Sequence, residues 1–113
     1  MTTTIFSKII AKDVPAKIIF EDDLCLAFHD VNPQAPVHIL VIPKITELDR
    51  LDMAKSTHQA LLGHLLLKVS EIALAVGLSD YRVVINNGEG AGQSVFHLHL
   101  HLLGGREFAW PPG

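Results

Sequence analysis

Residues 97–103 run HLHLHLL, three histidines at alternate positions with a leucine after each. In an extended strand, side chains two apart share a face. His97, His99 and His101 are therefore expected on one face, and Leu98, Leu100 and Leu102 on the other, against a core. Three chemistries fit such a row. Each imidazole can satisfy a local hydrogen bond. Alternatively, a His-x-His strand can supply two zinc ligands, with a third from His101 or His38. A hydrolytic zinc site also wants an acidic base, and none stands beside the run. The third chemistry is nucleophilic catalysis by His99. Each protonation in the row disfavours the next, so the ring flanked on both sides is biased most towards free base. A phosphorus centre suits that nucleophile, because N–P bonds form readily and hydrolyse again.

An anion site should then lie nearby, and the preceding stretch NNGEGAGQS offers one. Gly88, Gly90 and Gly92 can turn backbone N–H groups inward on a phosphate. Gln93 and Ser94 follow immediately, placed to hold oxygens or to protonate a leaving group. The loop lacks the Lys-Ser/Thr pair of a P-loop, and glycines between strands also serve as plain turn chemistry. In LAFHD, alternation puts Leu26, Phe28 and Asp30 on one face, an apolar plate beside a carboxylate that suits a purine and its ribose. His29 points the other way. Core Phe and strand-end Asp is the plainer alternative. His58 and His64, six apart on a helix, fall on different faces and read as surface or packing residues. Cys25 lies in the apolar run DLCLAF and reads as a buried small hydrophobe.

These groups need elements to hold them. IFSKIIA (residues 5–11) repeats its apolar residues four apart and predicts a short helix, with Thr3 or Thr4 as N-cap. KIIFED and CLAFHD predict a hairpin. VNPQAP must be a loop, and VHILVIP a strand ending at Pro43. A helical turn is expected at ELDRL. Leu61, Leu62, Leu65, Leu66, Val69, Ile72, Ala73 and Val76 form the stripe of the main helix, stopped by Gly77. YRVVIN and SVFHLHLHLL are the fourth and fifth strands. The result is an α+β domain, one antiparallel sheet on one long helix.

The chain of 113 residues fits one domain, and a net charge of −3 with scattered basic residues argues against a nucleic-acid groove. With one cysteine no intrachain disulfide forms, and Cys-based zinc sites are excluded. Residues 60–78 carry Lys68 and Glu71, which spoils a membrane span. The N-terminus lacks the apolar core of a signal peptide. A cytoplasmic location is the expectation.

HLHLHLL, with the preceding GQS, resembles the histidine-triad (HIT) pattern, and IIFEDD, LAFHD, PQAPVHILVIPK and the terminal WPPG resemble its Hint branch nearly end to end. The resemblance implies a HIT-like fold: a five-stranded antiparallel sheet on one long helix, plus a short N-terminal helix. It implies a purine nucleoside phosphoramidase that cleaves a P–N bond without metal or other cofactor. His99 would attack the α-phosphate, His101 contact phosphate oxygens, His97 orient His99, and His38 buttress the row. Ser94 would assist the departing amine, with Gln93 on a bridging or phosphate oxygen and Asn86 at the phosphate end. Asp30 would hold the ribose, with Phe6, Ile9, Val14, Phe28 and Val31 around the base. A homodimer is implied, the two sheets joining, with Trp110 reaching the partner's site. The alternatives are a dinucleoside polyphosphate hydrolase, a nucleotide-binding interaction module and a metal-binding histidine protein. Two departures stand in the loop. Ala91 replaces a common glycine, which would be strained at positive φ, and Asn87 replaces a common glutamate.

Overall fold

The computed structural model describes residues 3–113. Helix α1 (Ile5–Ile10) is capped by Thr4, whose hydroxyl accepts from the Ser7 N–H at 3.2 Å while the Ser7 hydroxyl accepts from the Thr4 N–H at 2.9 Å. Strands β1 (Ile18–Glu21) and β2 (Cys25–His29) form the expected hairpin. Its turn is held by Asp22, whose Oδ1 accepts the N–H groups of Leu24 and Cys25, both at 2.8 Å. Strand β3 (Val37–Pro43), helix α2 (Gln59–Ala75), and strands β4 (Tyr81–Val84) and β5 (Leu100–Gly104) complete a five-stranded antiparallel sheet, in the order β1-β2-β3-β5-β4.

The sheet has two covered faces. On one, Leu65, Val69, Ile72 and Ala73 of α2 pack against Cys25, Ala27, Ile39, Val41, Leu98, Leu100 and Leu102. On the other, Phe6 and Ile9 of α1 pack against Leu26, Phe28, Leu40 and Ile42. Burying each such side chain is worth roughly 1.5–3 kcal/mol. Cover on both faces explains why β2 and β3 are buried almost throughout, and apolar apart from His29 and His38, rather than alternating.

Three expectations are corrected. The fifth strand is shorter than SVFHLHLHLL: only residues from Leu100 onward pair in the ladder. Extending the β3–β5 register two residues past Val41↔Leu100 places Pro43 against Leu98, and proline has no N–H to offer a ladder. The Leu98 N–H donates instead to the Leu48 carbonyl at 2.8 Å. The apolar stripe of α2 is narrower than its sequence suggests, for Leu66 and Val76 are exposed. The turn expected at ELDRL forms as a 3-10 turn over Leu51–Met53, beginning where that run ends. Gly77 ends α2 at φ +82°, the left-handed conformation of a helix stop. No helix among the described residues is long and apolar enough to cross a membrane.

Candidate active site

The site grows from the point where β5 enters the sheet. The His97 ring is buried and its Nε2–H donates to the Pro43 carbonyl at 2.8 Å, taking the acceptor that the broken ladder leaves free. The His99 Nδ1–H donates to the His97 carbonyl, also at 2.8 Å. A neutral imidazole has one donor and one acceptor nitrogen, so Nε2 of His99 keeps its lone pair. Phe6 meets the His99 ring edge-on, at 5.0 Å between centroids, and fixes its plane.

A second chain of hydrogen bonds fixes His101. His38 pairs with Leu103 across the β3–β5 ladder, so His101 is its diagonal neighbour on the same face. The Gln34 N–H donates to Nδ1 of His38 at 3.0 Å, leaving the ring proton on Nε2. That nitrogen lies 2.9 Å from Nδ1 of His101. His101 is then itself a donor at Nε2, and among the described residues this is the buried side-chain polar atom left without a partner. A buried donor without an acceptor is costly unless something is meant to fill it.

His99 and His101 open on a cavity of about 390 Å³. Phe6, Ile9, Val14 and Phe28 give it an apolar wall, and Asp30 and Ser94 its polar rim. Val31, 99 % exposed, stands at the mouth. Burial lowers the pKa of His38, His97, His99 and His101 alike, and His101 is held down to about 4. The repulsion between neighbouring rings that was expected to favour a neutral His99 is second to burial: it acts on His101, through His99 and His38, and on His97 through His99. At His99 the leading cause is burial, opposed by the His97 carbonyl and the charge of Asp30.

The HIT domain family matches residues 11–108. The chain belongs to the HIT family. An uncharacterized HIT-like protein of Synechocystis is 64 % identical over 97 % of this chain and 96 % of its own. A 14 kDa zinc-binding protein of Zea mays is 53 % identical over 97 % and 88 %. Among solved structures, a HIT family hydrolase from Legionella pneumophila superposes with a TM-score of 0.95 at 44 % identity, covering 98 % of this chain and all 100 % of that one. One from Clostridium thermocellum gives 0.92 at 36 %, covering 96 % of each.

In this HIT protein some expected site residues stand back from the cavity. Gln93 is buried: its Oε1 accepts the Gly88 N–H at 2.8 Å, and its Nε2 donates to the carbonyls of Asp49 at 2.7 Å and Val95 at 3.1 Å. The amide stitches the glycine loop to the body, which engages the Gln93 side chain and the Gly88 N–H that were expected to meet phosphate. His97 orients His99 through its backbone carbonyl, not its ring. Asn86 lies under Gly92, its Nδ2 3.7 Å from where a Cβ would stand. Trp110 is 80 % exposed and is not among the residues that line the cavity at His99 and His101.

The loop's two departures find their reasons. Positive φ falls on Gly88 (+96°) and Gly92 (+93°), and Ala91 sits between them in a 3-10 turn without positive φ, so it carries no such strain. Asn87 Oδ1 accepts the Asp52 N–H at 2.9 Å and moors the loop. Sequence reasoning missed Ile5, Leu40 and Val95 in the wall, and the Gln34 and Pro43 backbone groups that set the histidine tautomers. Leu40 was findable, two residues from His38 on the same strand face. Backbone partners carry no signal in residue type.

Cys25 is buried beneath α2, its thiol pushed up to about 12 by burial and by a hydrogen bond with Asp22. His64 reaches Asp22 Oδ2 at 2.7 Å, and His58, at the start of α2, makes no side-chain bond to that helix; its Nδ1 accepts the Lys55 N–H of the preceding turn at 3.0 Å.

Proposed function

We propose that this HIT protein is a metal-independent hydrolase of the phosphoramidase type, cleaving the P–N bond of adenosine or guanosine 5′-phosphoramidates. The observation that carries the reading is the pair of ring nitrogens at the cavity: a free lone pair on His99 Nε2 beside an unpartnered N–H on His101 Nε2. A nucleophile next to a donor for phosphate oxygens is what nucleotidyl transfer to nitrogen needs. His99 Nε2 attacks phosphorus, an N–P bond forms, and the P–N bond to the amine breaks. The Ser94 hydroxyl, on the cavity rim, is placed to pass a proton to the departing amine. Water then attacks the nucleotidyl-histidine, releasing the nucleoside monophosphate and restoring the free base.

The apolar wall around Phe6, Ile9 and Phe28 suits a purine, and Asp30 at its edge suits the ribose hydroxyls. Gln93, Gly92 and Asn86 serve on this reading by shaping the loop over the phosphate. A homodimer is part of the proposal. β4 is an edge strand with Tyr81 and Val83 exposed, and α2 presents exposed Leu66, Leu67 and Leu74. A second copy covers such surfaces and gives exposed Trp110 something to pack on.

A zinc-binding reading has its own observation, besides the name of the maize relative. Asp30, His38 and His101 offer ligand atoms within 4.8 Å of one another, as do Asp22, Cys25 and His64. Both groups are already joined by hydrogen bonds that a metal would have to break. Hydrolysis of adenosine 5′-phosphoramidate by wild type and His99→Ala, both in EDTA, separates the readings. Turnover by wild type alone supports the phosphoramidase. Loss of wild-type turnover in EDTA, restored by zinc, favours the metal. A preference for dinucleoside polyphosphates over the phosphoramidate would shift the leaving group from nitrogen to oxygen.

A further inference from the structure

Asp30 is tied to β3 and to its own loop, and its free carboxylate oxygen faces the histidines. Its backbone N–H donates to the His38 carbonyl at 2.9 Å, and its Oδ1 accepts the Asn32 N–H at 2.8 Å. The remaining oxygen, Oδ2, lies 3.4 Å from Nε2 of His38. That same nitrogen lies 2.9 Å from Nδ1 of His101. Because the Gln34 N–H occupies Nδ1 of His38, the ring proton is on Nε2. One proton therefore faces two acceptors. The ring nitrogen is nearer, and a carboxylate oxygen is intrinsically the stronger acceptor.

We propose that Asp30 couples sugar recognition to the chemical step: ribose hydroxyls donating to Oδ2 release the Nε2–H of His38 to Nδ1 of His101, and so hold His101 as a donor towards phosphate. The inference rests on the nucleotide reading above. With a vicinal diol bound, Oδ2 accepts from the sugar and competes less for the His38 proton. His101 then accepts at Nδ1 and donates at Nε2, the tautomer that a phosphate oxygen requires. Without the diol, Oδ2 competes for the His38 proton, so the 2.9 Å bond to Nδ1 of His101 is held less firmly. That ring is free to take the other tautomer, whose Nε2 lone pair repels phosphate oxygen. Asp30 is thus a positioning residue as well as a sugar ligand. Its charge reaches His38, His99 and His101 together, raising the pKa of each against the effect of burial.

A contact that only binds changes KM, whereas one that matters in the transition state changes the saturated rate. The test is the single-turnover rate at saturating adenosine 5′-phosphoramidate and its 2′,3′-dideoxy counterpart, in wild type and Asp30→Ala. Wild type is expected to lose about tenfold or more in saturated rate with the dideoxy sugar, while Asp30→Ala treats the two sugars within about twofold. A saturated rate unchanged in wild type, with only half-saturation raised, overturns the coupling. Imidazole ¹⁵N spectra of wild type with saturating AMP or 2′,3′-dideoxy-AMP give a readout without turnover and without a variant. AMP is expected to fix His101 with its proton on Nε2, and the dideoxy nucleotide to leave a mixture. Identical ring spectra overturn the proposal. Distinct spectra without phosphoramidate cleavage support the coupling and strike the activity reading alone, and failure of AMP to bind overturns both.

Discussion

His38 and His101, on adjacent strands, are joined by a 2.9 Å bond between Nε2 of the first and Nδ1 of the second. The Gln34 N–H behind His38 gives that bond its direction. A backbone group outside the cavity thereby places the ring proton of His38 on the nitrogen that faces His101.

His38→Phe keeps a ring in place but removes the donor to His101. Saturated turnover of adenosine 5′-phosphoramidate is expected to fall, yet by less than for His101→Ala, which removes the donor itself and with it about 10²–10³ in rate. Steady-state kinetics of the two variants check the order. An equal or larger loss in His38→Phe would mean that His38 itself touches the reacting group.

Gln93→Leu is close in volume and deletes three internal hydrogen bonds. It leaves the Gly88 N–H and the Asp49 and Val95 carbonyls without this partner, a loss of about 1–3 kcal/mol for each group that stays buried and unpaired. Urea unfolding should show a lower midpoint, and the rate should fall because the loop is no longer moored. Full stability with reduced rate would place Gln93 at the phosphate instead.

Stability should fall on acidification from neutral pH. The His101 pKa is about 4 folded against 6.5 for the free group, so between these values the unfolded chain binds more protons. Its contribution is complete above pH 6.5 and is lost as pH drops towards 4. His97, His99 and His38 act in the same direction. The loss per ring is at most about 1.4 kcal/mol per pH unit, reduced by solvent screening where the ring is partly open. Urea midpoints at intervals from pH 7 to 4.5 test this, and His101→Asn should show a shallower slope.

Lys12, just after α1, has φ +65°, a left-handed conformation that costs a residue with a Cβ roughly 1–2 kcal/mol. Lys12→Gly should raise Tm even though it deletes an exposed ion pair with Glu21, since such pairs contribute about 0–1 kcal/mol. A lower Tm would show that the pair outweighs the strain.

Cys25 should resist thiol reagents in the native state, being buried with its thiol held up to about 12. One equivalent should react only in denaturant. Rapid labelling of the native protein would show that α2 opens away from the sheet.

Much of the architecture was legible because local rules and the tertiary fold agree. Thr4 caps α1, Gly77 stops α2, and Leu98, Leu100 and Leu102 alternate against the helix as period two requires. The grouping of Phe6, Phe28, Asp30, Ser94, His99 and His101 at one cavity followed from strand faces and from the family pattern. Leu66 and Val76 were misread because the stripe on α2 records apolarity, whereas exposure depends on how far the sheet extends beneath the helix. The tautomers of the four histidines were out of reach for a different reason. They depend on carbonyls and N–H groups of Pro43, His97 and Gln34, and every residue type has the same carbonyl. By itself the sequence determined which side chains are candidates for the chemistry and that the leucines of the histidine run turn to the core, since both follow from residue type and spacing. Only the tertiary structure decided where each ring proton lies and that Gln93 is tied into the fold, because those depend on backbone groups brought close by strand pairing and loop closure.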